Sequence, residues 1–220
     1  MNARKTMRVT GRGLIKVKPD QTCIGITVCD VEKNYEKAVR RASEDSEAVK
    51  ASLAAAGFSA SEIKTVRFDI EPEYEGYDEN GVWKQRFKGY RFCHELRLVF
   101  DSDKEILGKV FTCLAKCPAE PEFRVSYRVK DQEAAKNLLL AGAVADARNK
   151  ATILASASGV TLGEIRHIDY SFEDVRMEVT TMQRSKVFMT GISEDCALGI
   201  DMEPEDIDVA DTVTIIWEIL

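Results

Sequence analysis

Histidine is scarce in this chain: His94 and His167 are the two among 220 residues. Structural zinc takes four ligands at characteristic spacings, and neither histidine is spaced like a partner pair, so no metal is expected. Long apolar runs are missing. None approaches the roughly 18 residues that a bilayer crossing needs, so no membrane span is expected. The start, Met1-Asn2-Ala3-Arg4-Lys5-Thr6-Met7, leads into a strand without an apolar leader region, and a cytoplasmic location is the expectation. Basic runs are missing too. Acidic side chains outnumber basic ones, 37 to 31, giving a net charge of −6. The doublet Arg40-Arg41 is offset by Glu44, Asp45 and Glu47. Nucleic-acid binders carry a basic face, so no nucleic-acid partner is expected. Framework spacing is lacking among Cys23, Cys29, Cys93, Cys113, Cys117 and Cys196. For a cytosolic chain of this size, six reduced thiols are the expectation.

What is present is alternation. Val9-Thr10-Gly11-Arg12-Gly13-Leu14-Ile15-Lys16-Val17 reads as a strand with two early glycines, closed by the turn at Pro19-Asp20. Thr22 to Val28 follows with a period of two. A long helix comes next, with Tyr35, Ala38, Val39, Ala42, Val49 and Leu53 on one stripe and a stop at Gly57. Val66, Phe68 and Ile70 alternate with Arg67, Asp69 and Glu71, and Pro72 marks an edge or a bend. Asn80-Gly81 is a hairpin-turn signal, because both central residues of that turn need positive φ. Residues 64 to 100 therefore read as one long antiparallel hairpin. Ser102 with Glu105 forms a capping box for a helix ending before Pro118. A strand over Phe123 to Val129 precedes a helix capped by Asp131, with the stripe Leu140, Val144, Ala147, Ala151 and Leu154 and an end at Gly159. Strands at Ile165 to Phe172 and Ile207 to Ile219 complete the order. Residues 174–203 carry little period and read as an insertion. Hairpins outnumber crossovers, which favours an α+β fold with a largely antiparallel sheet and long helices packed on one face. The chain reads as one domain over 1–220, with 1–100 and 101–220 as candidate lobes.

The candidate chemistry is thin. Gly11-Arg12-Gly13 lies inside a strand and opens no helix, so a bend or bulge is favoured over a phosphate loop. Cys113 and Cys117, at i and i+4, make half a metal site at most. Cys23 and Cys29 share a strand face but stand about 20 Å apart at 3.3 Å per residue. His94 falls on an apolar face and reads as a core histidine bonded to a neighbour, whereas His167 points to a polar face. No catalytic residue and no cofactor site is assigned. The acidic residues Glu71, Glu73, Glu75, Asp78 and Glu79 surround the hairpin tip, interleaved with Tyr74, Tyr77, Trp83, Phe87 and Tyr90. Such aromatics either form a partner surface or clasp the hairpin through cross-strand pairs.

Taken in order, several short motifs resemble the SIMPL-domain family, whose bacterial members include the periplasmic immunogenic proteins and many of unknown function. The matching elements are Val9-x-Gly11-x-Gly13, Val17-x-Pro19-Asp20, Pro72-x-Tyr74, Asn80-Gly81 and Gly89-Tyr90. Ala145-Asp146-Ala147-Arg148-x-Lys150-Ala151, Gly159-Val160-x-Leu162-Gly163-x-Ile165 and Val209-x-Asp211-x-Val213-x-Ile215 follow. The resemblance implies an α+β fold, a tendency to self-assemble and no catalytic residues to carry over. It departs in the absent signal peptide and in the segment 174–203.

The reading from sequence is a non-enzymatic, cytoplasmic, homo-oligomeric scaffold or interaction protein, linked to stress. Its interaction surface is Tyr74, Tyr77, Trp83, Phe87, Met182, Phe188 and Met189. The alternative is an enzyme or small-ligand binder with a pocket under the insertion, lidded by Met177, Met182, Phe188 and Met189. A third reading is a thiol redox sensor at Cys196.

Overall fold

The computed structural model describes residues 5–170, 177–180 and 203–220, apart from the side chains of Val179 and Thr180. Met182, Phe188, Met189 and Cys196, singled out from the sequence, lie outside the described residues. The chain divides into two compact units: Met1–Pro19, Arg128–Val179 and Pro204–Leu220 form one, and Asp20–Tyr127 with Thr180–Glu203 the other.

The first unit is a three-stranded sheet covered by a helix. Strands β1 (Thr6–Val17), β6 (Leu162–Asp169) and β8 (Ile207–Ile219) lie in the order β1-β8-β6, and both pairings are antiparallel. Helix α3 (Gln132–Ala157) opens at Asp131, whose side chain accepts the Ala134 N–H, 2.8 Å away. Its buried residues are Ala135, Leu139, Ala143, Ala147, Ala151 and Ala155, almost all of them small. The apolar stripe expected from sequence is partly misplaced: Val144 and Leu154 are exposed. The reason is the strand beneath. A Cβ on Gly11 would come 2.1 Å from the Ala143 carbonyl oxygen, and one on Gly13 would come 2.0 Å from that of Leu139. Backbone meets backbone there, so the helix presents methyl groups and turns larger side chains away. The two glycines thus serve close packing rather than a bend or bulge; β1 pairs with β8 in unbroken register. Asp146 accepts the Arg12 N–H at 2.7 Å and an ion pair from Lys150 at 2.6 Å. It satisfies a donor on the outer edge of β1, and both contacts hold its carboxyl below the usual range. Met177, one of the lid residues of the alternative reading, is buried with Leu139, Ile207 and Val209. It is core rather than lid. The short strand β7 (Glu178–Thr180) follows it, inside the segment read as an insertion.

In the second unit, β2 (Gln21–Glu32), β3 (Lys64–Glu79), β4 (Val82–Asp101) and β5 (Glu122–Arg128) lie in the order β3-β4-β2-β5. The β3–β4 hairpin is the one expected, and Pro72 lies on the edge strand, where its missing N–H costs no ladder bond. Helices α1 (Tyr35–Ala54) and α2 (Lys104–Ala115) bury Val49, Leu53, Leu107, Val110 and Phe111 against Ile24, Ile26, Leu96 and Leu98. Tyr35 and Val39, assigned to the buried stripe of α1, are exposed; Asp45 and Ser46 are buried instead. Arg41 lies 3.2 Å from the Asp45 carboxylate, yet burial outweighs that cation and pushes the carboxyl pKa up. The cap of α2 is Asp103 and not Ser102: Asp103 accepts the Glu105 and Ile106 N–H groups, while the Ser102 hydroxyl bonds Thr22 at 3.0 Å.

The cysteine expectation is overturned. Cys29 and Cys93 stand directly opposite each other on β2 and β4, Cα atoms 4.3 Å apart, and form a disulfide. The neighbour that matters to Cys29 is on the adjacent strand, not Cys23 on its own. Cys23, Cys113 and Cys117 are free thiols. Cys117 lies beyond the end of α2, so it does not share a helical face with Cys113.

Candidate functional site

The β3–β4 hairpin outruns its sheet. Pairing between β2 and β4 ends at Glu32 and Tyr90. From Glu73/Gly89 to Glu79/Val82 the two strands continue to pair with each other. At about 3.3 Å per residue this arm extends roughly 20 Å. Its tip is the turn the sequence announces: Asn80 and Gly81 have φ of 57° and 80°, and Asp78 accepts the Gly81 N–H.

Period-two alternation gives the arm two unlike sides. On one, Tyr74 pairs with Phe87, Gly76 with Gln85 and Asp78 with Trp83. The Tyr74 and Phe87 rings meet edge to face at 5.8 Å, Phe87 meets Tyr90 at 5.2 Å, and Tyr90 meets Tyr35 of α1 at 5.4 Å. The Trp83 indole lies over Gly76, where an added Cβ would stand 2.4 Å from the ring. A register shift between Glu73 and Tyr74 brings Phe87 and Tyr90 into contact across three residues. The other side is ionic. Glu79 pairs with Lys84, Glu75 with Arg86, and Glu73 with Lys88 at 2.8 Å. The Arg86 guanidinium also sits 5.5 Å over the Tyr77 ring. The acidic cluster around the tip is thus largely neutralised across the strands.

Of the sequence-assigned surface, the structure gathers Tyr74, Phe87 and Trp83 on one side and places Tyr77 on the other. The aromatics pair across the strands, as one reading has it, and they also stay open, with Tyr74 57%, Trp83 72% and Phe87 48% exposed. A two-stranded ribbon is marginally stable alone in water, so cross-strand rings and ion pairs are what hold this one out.

A second feature lies on the sheet face opposite the helices. Thr27, Arg67, Asp69, Glu71, Arg91, Cys93 and Glu95 line a concavity of about 300 Å³. Arg67 pairs with Asp69, and Glu95 with Arg124 at 3.8 Å. Charges of both signs thus lie beside Cys93. Sequence reasoning missed this place. The signal was there in the alternation of Arg67, Asp69 and Glu71, but locating the cysteines beside it needs the β2–β4 register.

His94 lies on the helix side. Its Nε2 is 3.0 Å from the Thr65 hydroxyl and its ring meets Phe68 at 5.1 Å. Burial and the Lys50 ammonium lower its pKa, against the pull of the Ala42 carbonyl. It is a half-buried neutral histidine bonded to a neighbour. His167 is exposed on β6. Among the described residues no group of three Cys, His, Asp or Glu side chains is placed to hold a metal ion, and no helix is long and apolar enough to cross a membrane.

The family model described as SIMPL, a protein of unknown function (DUF541), matches residues 7–217. No curated protein matches the chain. Among solved structures, the chain is similar to the regulatory subunit of aspartate kinase from Thermus flavus, at 14% identity over 96% of this chain and 90% of that one. The TM-score is 0.15, too low to carry an argument.

Proposed function

This chain belongs to the SIMPL family, and on that premise we propose that it is a non-enzymatic, self-assembling scaffold or interaction protein, in which the β3–β4 arm docks onto a second copy. The observation that carries this reading is the open aromatic side of the arm. Exposed aromatic surface on an extended ribbon favours association, because Tyr and Trp bury large areas at low entropic cost. Met182, Phe188 and Met189 are proposed as further partner-contacting residues. A stress-related role and a cytoplasmic location remain part of the proposal. The disulfide qualifies the second, since such bonds persist in oxidising compartments.

Light scattering on the purified protein tests the assembly. An oligomer is expected, converted towards monomer in the Trp83→Ser/Phe87→Ser double variant with its circular dichroism unchanged. A strict monomer at high concentration, or an oligomer indifferent to both substitutions, would overturn the reading. The alternative of a small-ligand pocket under residues 174–203 is distinguished by metabolite-induced thermal shifts. A ligand at 100 times its Kd stabilises by about 2.7 kcal/mol.

A further inference from the structure

We propose that the Cys29–Cys93 pair is an exchange site for a small charged thiol of the glutathione class, a peptide thiol bearing carboxylates and an ammonium group. Position supports it first. Cys29 is exposed and Cys93 half-exposed, on the sheet face away from the hydrophobic core, so the bond opens without exposing Ile24, Ile26 or Leu96. The free thiols among the described residues are less open: Cys23 and Cys117 are buried. Cys113 is half-buried, and that burial raises its pKa.

Chemistry supports it second. Cys93 lines the 300 Å³ concavity together with the guanidinium groups of Arg67 and Arg91 and the carboxylates of Asp69, Glu71 and Glu95. Ligand sites begin at about this volume. The arginines suit the carboxylates of a peptide thiol and the acidic residues suit its ammonium.

The step balances. The incoming thiolate, held in the concavity, attacks Sγ of Cys93 in line with the bond, the Cys29–Cys93 bond breaks, and its electron pair stays on Sγ of Cys29 as a thiolate. One sulfur–sulfur bond forms as one is lost, with no net oxidation. A second equivalent of the thiol, attacking the mixed disulfide, releases the small disulfide and leaves the protein as a dithiol, two electrons reduced.

The test exposes the oxidised protein to reduced glutathione or to 2-mercaptoethanol at matched thiolate concentration, and follows intact mass with peptide mapping. The expected result is a glutathione adduct on Cys93, formed about tenfold faster than the neutral-thiol adduct, the gain of one charge-assisted hydrogen bond from a lining guanidinium. The Arg67→Gln/Arg91→Gln variant should lose that preference and keep its rate with 2-mercaptoethanol. Equal rates for the two thiols on the wild-type protein, an adduct on Cys29 instead, or a bond inert to both reagents in the folded protein would each overturn the proposal. So would purification under air with both cysteines still reduced.

Discussion

Adding one methyl group at Gly11 should separate helix from strand. Its Cβ would lie 2.1 Å from the Ala143 carbonyl oxygen, 2.3 Å from the Ala147 nitrogen and 2.6 Å from the Ala147 Cβ, whereas ordinary contact begins near 3.4 Å. Two of these three atoms are backbone, so no rotamer change relieves the clash. The helix must retreat by about 1.3 Å from the carbonyl contact alone. A gap of 0.5–1 Å already forfeits a quarter to a half of each dispersion contact. Here the loss is shared by Val9, Ala143, Ala147, Ala151, Val213, Ile215 and Trp217, which form one buried cluster. Overpacking a filled core costs typically 1–3 kcal/mol, occasionally more, and a clash against backbone belongs at the top of that range, about 3 kcal/mol for Gly11→Ala. Gly13→Ala should behave alike, and the double variant should cost less than twice as much, since both push the same helix. Urea unfolding followed by circular dichroism reads the effect, with Gly25→Ala as control. Gly25 has no atom within 4 Å of its would-be Cβ, so its variant should stay within about 0.5 kcal/mol of wild type. A Gly11→Ala protein as stable as the Gly25→Ala control would refute the backbone contact.

Three further outcomes follow from the same geometry. Gly142→Ala on α3 should stabilise by about 0.5–1 kcal/mol through helix propensity, because its Cβ would meet only Gly13 Cα at 3.7 Å; a loss measured by urea unfolding would count against the packing described. The Cys29→Ser/Cys93→Ser variant should lose about 2–4 kcal/mol, since a bond closing 64 residues restricts the unfolded chain; an unchanged denaturation midpoint under non-reducing conditions would contradict it. His94 is neutral in the folded protein and its pKa is lowered from 6.5, so the unfolded chain takes up the proton first as pH falls. Stability from this group is therefore present above about 6.5 and is lost between there and the lowered folded value. His94→Gln should flatten that slope in a pH series of thermal melts, and an unaltered slope would remove the assignment.

The fold was legible wherever the deciding signal was local. Asn80-Gly81 fixes its turn through φ alone, and the alternation on either side of it carries the hairpin, so both came through. The phase of α3 did not, because hydropathy favours Val144 and Leu154 while the glycines of β1 demand methyl groups. Size decided, and size at a helix–strand contact is set by a partner more than a hundred residues away. The cap at Asp103 was missed for a smaller reason: Ser102 fits the pattern equally well, but its hydroxyl is engaged by Thr22. The Cys29–Cys93 bond was hidden for the same reason as α3, since each cysteine reads as an ordinary strand residue until β2 and β4 are set in register. The aromatic side of the arm was partly visible. Alternation separates Tyr77 from Trp83 only once the turn register is known.

Strand β1 closes against β8, with Thr6 opposite Glu218 and Val17 opposite Ile207. A ribosome working at 5–20 residues per second needs on the order of ten to forty seconds to travel between them. During that interval the first strand waits without its mate, while nearly all of Asp20–Tyr127 has already left the exit tunnel and can fold. Synthesis therefore imposes an order in which the β1–β8 pair closes after the strands of Asp20–Tyr127 have emerged, and until then β1 offers an open edge to a chaperone or a neighbouring nascent chain.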